Sequence, residues 1–412
     1  MIKKFYAISI FSIFSVFAAT LCGCSKKEKE TVNLEIWTDE TNKNVITERL
    51  EEFKKIHEDE AVFNFTVIEE SSKSCLNIME ASPAYTPDVF VYTSGQFKQL
   101  YTQGYISEIT YEKDIVIADH GGPDSAIIKA VTINDKLYAY PELNSNGYFM
   151  YYNKKYFKTE DLSSLERMIE VAASHGKKIT MDLHNGWYLY SFFKGAGLDV
   201  SINEDGNANH CNWNATNTKY KGVDIARAIS KIAQMPGFKS YPDSNFIELI
   251  KNPNSGIIAG INGAWNANNV RLVWGDDYDA SKLPTFKLNG DNIQMHSFAG
   301  YKLVSVNSKT KHPQWAQKVA HWITNEESQV AIFKNTGECP SNLKAASHDE
   351  IKASPALTAL ASQSKFAHVQ FTASSLWTPT KMLGIMLTEG LSPEIDLQSQ
   401  LDQTVAAIQM PE

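Results

Sequence analysis

The chain has 412 residues, of which 43% are hydrophobic, 21% charged and 11% aromatic, and it carries a formal net charge of −8. That length exceeds what one simple core serves and suggests two lobes of ordinary domain size. Only four arginines occur, at 49, 167, 227 and 271, and no basic cluster extends beyond a lysine pair, which argues against a nucleic-acid partner, since phosphate backbones require many clustered cations.

The N-terminus carries a specific signal. Lys3 and Lys4 form a basic start, residues 5–21 an apolar run, and Leu21-Cys22-Gly23-Cys24 follows. This pattern is that of a secretory signal; a membrane-spanning anchor would need a longer apolar stretch. Leu-x-Gly-Cys resembles the bacterial lipobox, which implies a signal peptide over 1–23, cleavage before Cys24 and lipid on its thiol. Residues 24–31 are then a charged, flexible tether. The mature protein is expected outside the cytoplasmic membrane, in the periplasm or at the cell surface, held by acyl chains. Cys75, Cys211 and Cys339 are widely separated, without CxxC or a paired histidine, so no metal site is expected. Buried free thiols are the expected state, with one disulfide as the alternative in an oxidising compartment.

In chain order, VNLEIW (32–37) alternates into a strand. Val45, Ile46, Leu50, Phe53 and Ile56 then share one helical face. VFNFTVI (62–68) is a second strand, and PDVFVY (87–92) a short buried one ending in a turn at 93–95. Strands alternating with helices predict a parallel sheet with crossovers. Ligands collect beyond the carboxyl ends of such strands, here near 37–40 and 92–96. Tyrosine-rich runs at 137–140 and 148–152 flank a polar break at 142–147; this suits either a hairpin or a hinge whose backbone absorbs lobe closure. Helices are predicted from Leu165 through Ala172 and over 223–235, the latter stopped by Pro236-Gly237. Residues 203–221, rich in asparagine, look like a surface excursion. A buried strand follows at 256–261 and another at 299–306, then a helix opening on Pro313. Thr324 and Glu327 have capping-box spacing for the next helix, and the chain from 356 onward is largely helical. Trp274, Trp315 and Trp322 look like core or lobe surface, the last two lying seven apart on one helical face.

Several of these segments together resemble a known family. Ile36-Trp37, Pro87-Asp88, GYISEIT (104–110), NDKLYAYP (134–141), YYNK (151–154), TMDLHNGWYLYSFFKGAGL (180–198), INGAW (261–265), LPTF (283–286) and a helical stretch ending in Trp377 follow the order and spacing of the maltose/maltodextrin-binding family of ABC-transporter solute-binding proteins. The resemblance covers nearly all of the mature chain. It implies an α/β, two-lobed periplasmic-binding-protein fold, each lobe a sheet flanked by helices, with crossing strands between the lobes and the ligand in the cleft. The expected division is 32–143 plus 287–338 for the first lobe and 148–283 plus 341–412 for the second, with crossings at 144–147, 284–286 and 339–340. It further implies capture of a carbohydrate by lobe closure and delivery to an ABC permease whose ATPase is a separate chain. The protein would act as a monomer without a cofactor.

A sugar presents hydroxyls that need donors and acceptors, and C–H faces that are effectively apolar. A site for it combines aromatic plates with amides and carboxylates, and specificity arises where polar contacts are left unpaired by the wrong epimer. By family position the aromatic candidates are Trp265, Trp377, Trp187 and Tyr92, each of which could instead be a core aromatic. The polar candidates are Asp39, Glu40, Gln96, Asn144, Asn146, Asn185 and Asn262, although asparagine is equally suited to turns. The sequence departs from the family in having Gly95-Gln96 where an Asp-Arg pair is usual, and amides where acidic residues are usual. No GxSxG, HExxH, P-loop or GxGxxG motif is present, and the ten histidines are scattered. The alternatives are the same fold with a non-sugar solute such as a polyamine, or a surface glycoside hydrolase or adhesin.

Overall fold

The structure, a computed structural model, describes residues 29–83, 85–144, 147–203, 207–392 and 394–411. The expected signal peptide, the Cys24 anchor and Asn146 lie outside these residues. Ten strands build the two main sheets. They are β1 (Glu30–Thr38), β2 (Ala61–Glu69), β3 (Val89–Thr93), β4 (Tyr140–Leu143) and β5 (Tyr148–Asn153). After them come β6 (Lys178–Thr180), β7 (Phe238–Lys239), β8 (Ile257–Gly263), β9 (Tyr278–Ser281) and β10 (Lys302–Val306). The first sheet has the order β2-β1-β3-β10-β4 and the second β7-β6-β8-β5-β9. In the first, β1 runs parallel to both β2 and β3, while β10 returns antiparallel, as the strand–helix alternation predicts.

Each sheet has its own core. Ile36, Phe53, Val91, Leu303 and Val319 belong to the first, and Ile179, Leu189, Phe286 and Leu387 to the second. Phe53, on the apolar face of helix Lys43–Ile56, has Trp315 and Trp322 at 6.3 and 5.9 Å between ring centroids. These tryptophans come from helix Pro313–Thr324, so their seven-residue spacing seals a late helix onto the first lobe. The excursion at 203–221 is more than surface: Trp213 is fully buried and stacked on Phe193 with centroids 4.2 Å apart. The next helix, Glu326–Thr336, is capped by Asn325, whose side chain accepts from the Ser328 N–H. Thr324 instead donates its hydroxyl to the Ala320 carbonyl, so the expected capping box does not form. Cys75, Cys211 and Cys339 are free and buried, and burial pushes the Cys211 and Cys339 thiols up to about 12. Among the described residues no helix is long and apolar enough to cross a membrane.

The chain passes from one sheet to the other three times. The first passage lies between β4 and β5. The second, expected at 284–286, comes later. Residues Thr285–Leu288 and Asp291–Gln294 form a hairpin, and Phe286, Leu288, Met295 and Phe298 are all buried in the second core. Those apolar side chains hold 287–298 to the second lobe, and the passage falls at 299–302. The third was expected at 339–340. Cys339 does accept a hydrogen bond from the Asn144 N–H, but the following residues stay with the first lobe. Lys344 pairs with Asp119 at 2.7 Å, and Ala345 and Ile351 pack on Val330. The transfer comes at 353–355, where Pro355 opens a helix whose Ala356 and Ala359 join Phe149 and Tyr151 of the second lobe.

The first-lobe ends of the first two passages, at Glu142 and Lys302, meet Asp39 and Glu338 around one buried cation. The Lys302 ammonium, at the start of β10, lies 2.8 Å from Asp39 Oδ2 and 2.8 Å from Glu338 Oε1. Burial works against its charge, yet Glu338, Asp39 and Glu142 together raise its pKa. Glu142 is fully buried, and neither of its carboxyl oxygens has a hydrogen-bond partner among the described residues. Burial raises its carboxyl to about 8 in spite of Lys302, with Asp39 and Glu338 adding to the rise. Asp39 shows the opposite balance: burial would raise it, but Lys302 and the Ser72 N–H hold it below its usual range.

Two outcomes follow for stability. Replacing Lys302 by Met leaves three carboxyl groups buried without their cation. It should cost about 3–5 kcal/mol in urea unfolding, the range for breaking a buried ion pair from one side. Because the Glu142 carboxyl is raised from 4.5 to about 8, its contribution is complete below the unfolded-state value and is lost as pH rises through about 8. Glu142→Gln should therefore flatten the fall in unfolding free energy between pH 5 and 9; an unaltered slope would show that Glu142 does not hold the proton.

Candidate functional site

A cavity of about 790 Å³ lies between the lobes, beyond the carboxyl ends of strands from both sheets, where open α/β sheets place their ligands. The first lobe contributes Lys73, Leu76 and Asn77 from the start of helix Cys75–Ala81, and Thr93, Gly95, Gln96 and Gln99 from the segment after β3. From the second lobe come Asp182, His184, Asn185 and Trp187 after β6, Pro242 and Asp243 after β7, and Trp265 after β8. Gln370, Thr372, Ser374, Trp377 and Lys381 complete the wall. The aromatic plates thus stand together on one lobe and face a wall of amides, a hydroxyl and a lysine on the other.

Local chemistry explains how the plates are set. Trp187 is the second residue of helix Gly186–Gly195, and the Asn185 side chain caps that helix by accepting the Trp187 N–H at 3.0 Å. Behind it, the Tyr148 hydroxyl donates to the Trp187 carbonyl at 2.8 Å, and the Phe298 ring lies 5.1 Å away. Trp377 opens helix Trp377–Glu389, which crosses the 182–186 loop closely. A Cβ at Gly384 would fall 1.9 Å from the Leu183 carbonyl oxygen, so only glycine permits this approach. Trp265 folds back over Gly263, where a Cβ would come within 2.1–2.2 Å of three atoms of its six-membered ring. One face of that indole is therefore sealed against the backbone.

The carboxylates are equally fixed. Asp182 accepts the His184 N–H at 3.0 Å and the Asp243 N–H at 3.2 Å, and Asp243 accepts the Tyr188 hydroxyl at 3.3 Å. Burial raises the Asp182 carboxyl above its usual range despite those two donors. His184 Nε2 lies 2.8 Å from Thr388 Oγ1. Among the described residues no group of three or more His, Cys, Asp or Glu could hold a metal ion.

The residues singled out from sequence divide sharply. Trp265, Trp377, Trp187, Gln96 and Asn185 lie in the cavity wall. Gln96 spends its amide on the protein itself: it accepts from the Leu76 N–H and donates to the Ser72 carbonyl and Thr93 hydroxyl. It fixes the loop that carries Lys73. Asn262 is buried behind the wall, where it donates to the Asp243 carbonyl and accepts from the Gly263 N–H and Asn266. Tyr92 is not at the site. It is fully buried and shares a hydrogen bond of 2.8 Å with Ser305, because β3 is a central strand covered on both faces. Asp39 turns toward Lys302 instead of the cavity. Glu40 and Asn144 are exposed and outside its wall. Lys73, Asn77, Asp182, His184, Asp243, Gln370 and Lys381 were not anticipated. Asp182 and His184 stand inside the conspicuous TMDLHNGW segment, whereas Lys73 and Gln370 carry no local signal.

Known proteins share this architecture. The protein is 25% identical over 394 residues to the galactooligosaccharide-binding protein of Bacillus subtilis, covering 90% of each chain. It is 24% identical over 412 residues to a maltooligosaccharide ABC transporter solute-binding lipoprotein of Streptococcus pneumoniae, covering 94% of this chain and 92% of that one. The structure of the maltodextrin-binding protein MalE1 from L. casei matches with a TM-score of 0.76 at 21% identity, over 92% of this chain and 99% of that one. That likeness shows the two-lobed fold. The family described as bacterial extracellular solute-binding protein matches residues 48–359, and the chain belongs to that family.

Proposed function

We propose that this protein is the lipid-anchored solute-binding subunit of an ABC importer, and that it captures an oligosaccharide between its lobes and delivers it to a membrane permease with a separate ATPase. The observation that carries the reading is the set of three tryptophans, Trp187, Trp265 and Trp377, on one wall of a cavity whose other lining is mostly polar: amides, hydroxyls, two carboxylates, two lysines and His184. Plates of this kind stack on the apolar faces of sugar rings, and three of them suit several rings in a row. The cavity volume is that of a small-molecule site. Relatives named for galactooligosaccharide and maltooligosaccharide binding support the substrate class. The tail Leu21-Cys22-Gly23-Cys24 supports lipid on Cys24, and one relative is itself named a lipoprotein.

The protein binds without catalysing. Asp182 and Asp243 are the two carboxylates of the wall, and both come from the second lobe, joined by the Asp243 N–H. A glycosidase needs its carboxyl pair on either side of the scissile bond; two neighbours on one wall instead make fixed acceptors for hydroxyl groups. Closure then draws its energy from contacts that both lobes make with the same ligand.

The test is intrinsic fluorescence of the chain from Ser25 onward, which contains both lobes entire, titrated with malto- and galacto-oligosaccharides of increasing length. A saturable change with one series is expected, and silence across both would end the carbohydrate assignment. Trp265→Ala and Trp377→Ala should each weaken the binding sugar by more than about 1 kcal/mol, or at least about fivefold, as for central aromatic anchors. Unchanged affinity in both would remove the plates from the site. Gly263→Ala should weaken binding in the same sense as Trp265→Ala, since the added methyl displaces the indole, and wild-type affinity would show that the plate is not held by that glycine.

A further inference from the structure

The cavity contains one contact that joins its two walls through the stacking surface itself. Lys73 belongs to the first lobe and Trp265 to the second, and the Lys73 ammonium lies over the indole, 4.5 Å from the ring centroid. Gly263 seals the other face of that indole, leaving no room there even for a methyl group. The ammonium therefore rests on the single face that opens to the cavity. That is also the face a sugar ring would need, and the two cannot share it.

The backbone of Lys73 is held firmly. Its neighbour Ser72 donates its N–H to Asp39 at 2.8 Å and offers its carbonyl to Gln96 and to the Thr93 N–H. The side chain beyond is exposed and makes no salt bridge among the described residues. What can move is the four-carbon stem, pivoting about a fixed Cα. A desolvating sugar ring replaces the cation–π attraction, which is modest at an exposed site, and leaves the ammonium at the edge of the bound ring.

We propose that Lys73 sets the affinity of this cleft by occupying the open face of Trp265, and that a ligand ring displaces it on binding. The proposal rests on the reading of the cleft as a sugar site, but its first half stands without any sugar. In that role Lys73 is a competitor built into the opposite lobe. A ligand too small or too polar to cover the indole fails to dislodge it, so the lysine raises the threshold for weakly stacking solutes.

The experiment uses the chain from Ser25 onward labelled with 13C-lysine, observing the ε-CH2 resonances by NMR. Without sugar, one resonance should be shifted upfield by the indole ring current. It should vanish in Lys73→Met and move to the ordinary lysine position in Trp265→Leu. Saturation with maltotriose or a galactotriose, whichever binds, should likewise return it to the ordinary position. Lys73→Met should bind the same sugar about two- to fivefold more tightly, the factor that an exposed cation–π contact represents. An ordinary Lys73 resonance without sugar overturns the proposal, as does an upfield resonance that persists at saturation, or equal or weaker binding by Lys73→Met. If neither sugar binds the wild type, the carbohydrate assignment fails separately, and the position of the Lys73 resonance without sugar still decides whether the lysine holds the face.

Discussion

The arrangement of the molecule depends on how one buried ammonium is satisfied. Lys302 stands where β10 enters the first sheet, opposite Leu143 in register; its carboxylate partners, Asp39 and Glu338, arrive from the end of β1 and from the segment after helix Glu326–Thr336, and Glu142 of β4 is buried beside it. Buried ion clusters are weak stabilisers compared with apolar packing, yet removing one member is heavily destabilising. Such a cluster tolerates few alternatives. It ties the start of β10, where the second passage enters the first lobe, to Asp39 after β1 and to Glu338, with Glu142 of β4 buried beside it. Asp39 couples the same cluster to the site, because its other oxygen accepts the Ser72 N–H and so sets the loop that bears Lys73.

The two walls do different work. Stacking on an indole is strong but tolerant of which ring lies on it, whereas hydrogen bonds to hydroxyls are directional and discriminate. Here the indoles stand on the second lobe with the two carboxylates, and the first lobe brings Lys73, Asn77, Thr93 and Gln99. A ligand can thus rest on one lobe by its apolar faces, and closure adds the directional contacts of the other. Under the proposed function, the differential energy of a closed form would lie in that second set.

Much of this was legible from sequence, for identifiable reasons. The strand and helix alternation of the first lobe follows from period-two and period-3.6 patterns that the structure repeats. Trp265, Trp377 and Trp187 could be singled out by their position in the family pattern, and the structure places all three in the cavity wall. Tyr92 was misplaced because a strand buried on both faces looks, residue by residue, like one that ends at a cleft. Residues 287–294, expected in the first lobe after a crossing at 284–286, belong to the second, because apolar residues such as Leu288 do not say from sequence which core they enter. Residues 341–352 were misassigned for a similar reason: their attachment is made by Lys344 with Asp119 and by Ser341 with His120, pairs more than 200 positions apart.

The amides teach the sharper lesson about the site. An asparagine or glutamine beside a cleft offers donors and acceptors that suit a hydroxyl, and the same groups suit an unsatisfied backbone. In this protein the backbone takes them. Asn185 caps the Trp187 helix, Asn262 braces Asp243 and the turn into Trp265, and Gln96 uses both N–H groups and its carbonyl on the loop around Ser72. These three amides, predicted to meet the ligand, instead orient residues of the wall. Under the proposed function, selectivity accordingly shifts to other groups: Asp182 and Asp243, held as acceptors, and the two lysines beside the plates, Lys73 over Trp265 and Lys381 one turn after Trp377. These are brought together only by the folding of distant loops. That is why the tryptophans could be located by family position along the chain, while most of the charged groups beside them emerge only in the assembled cleft.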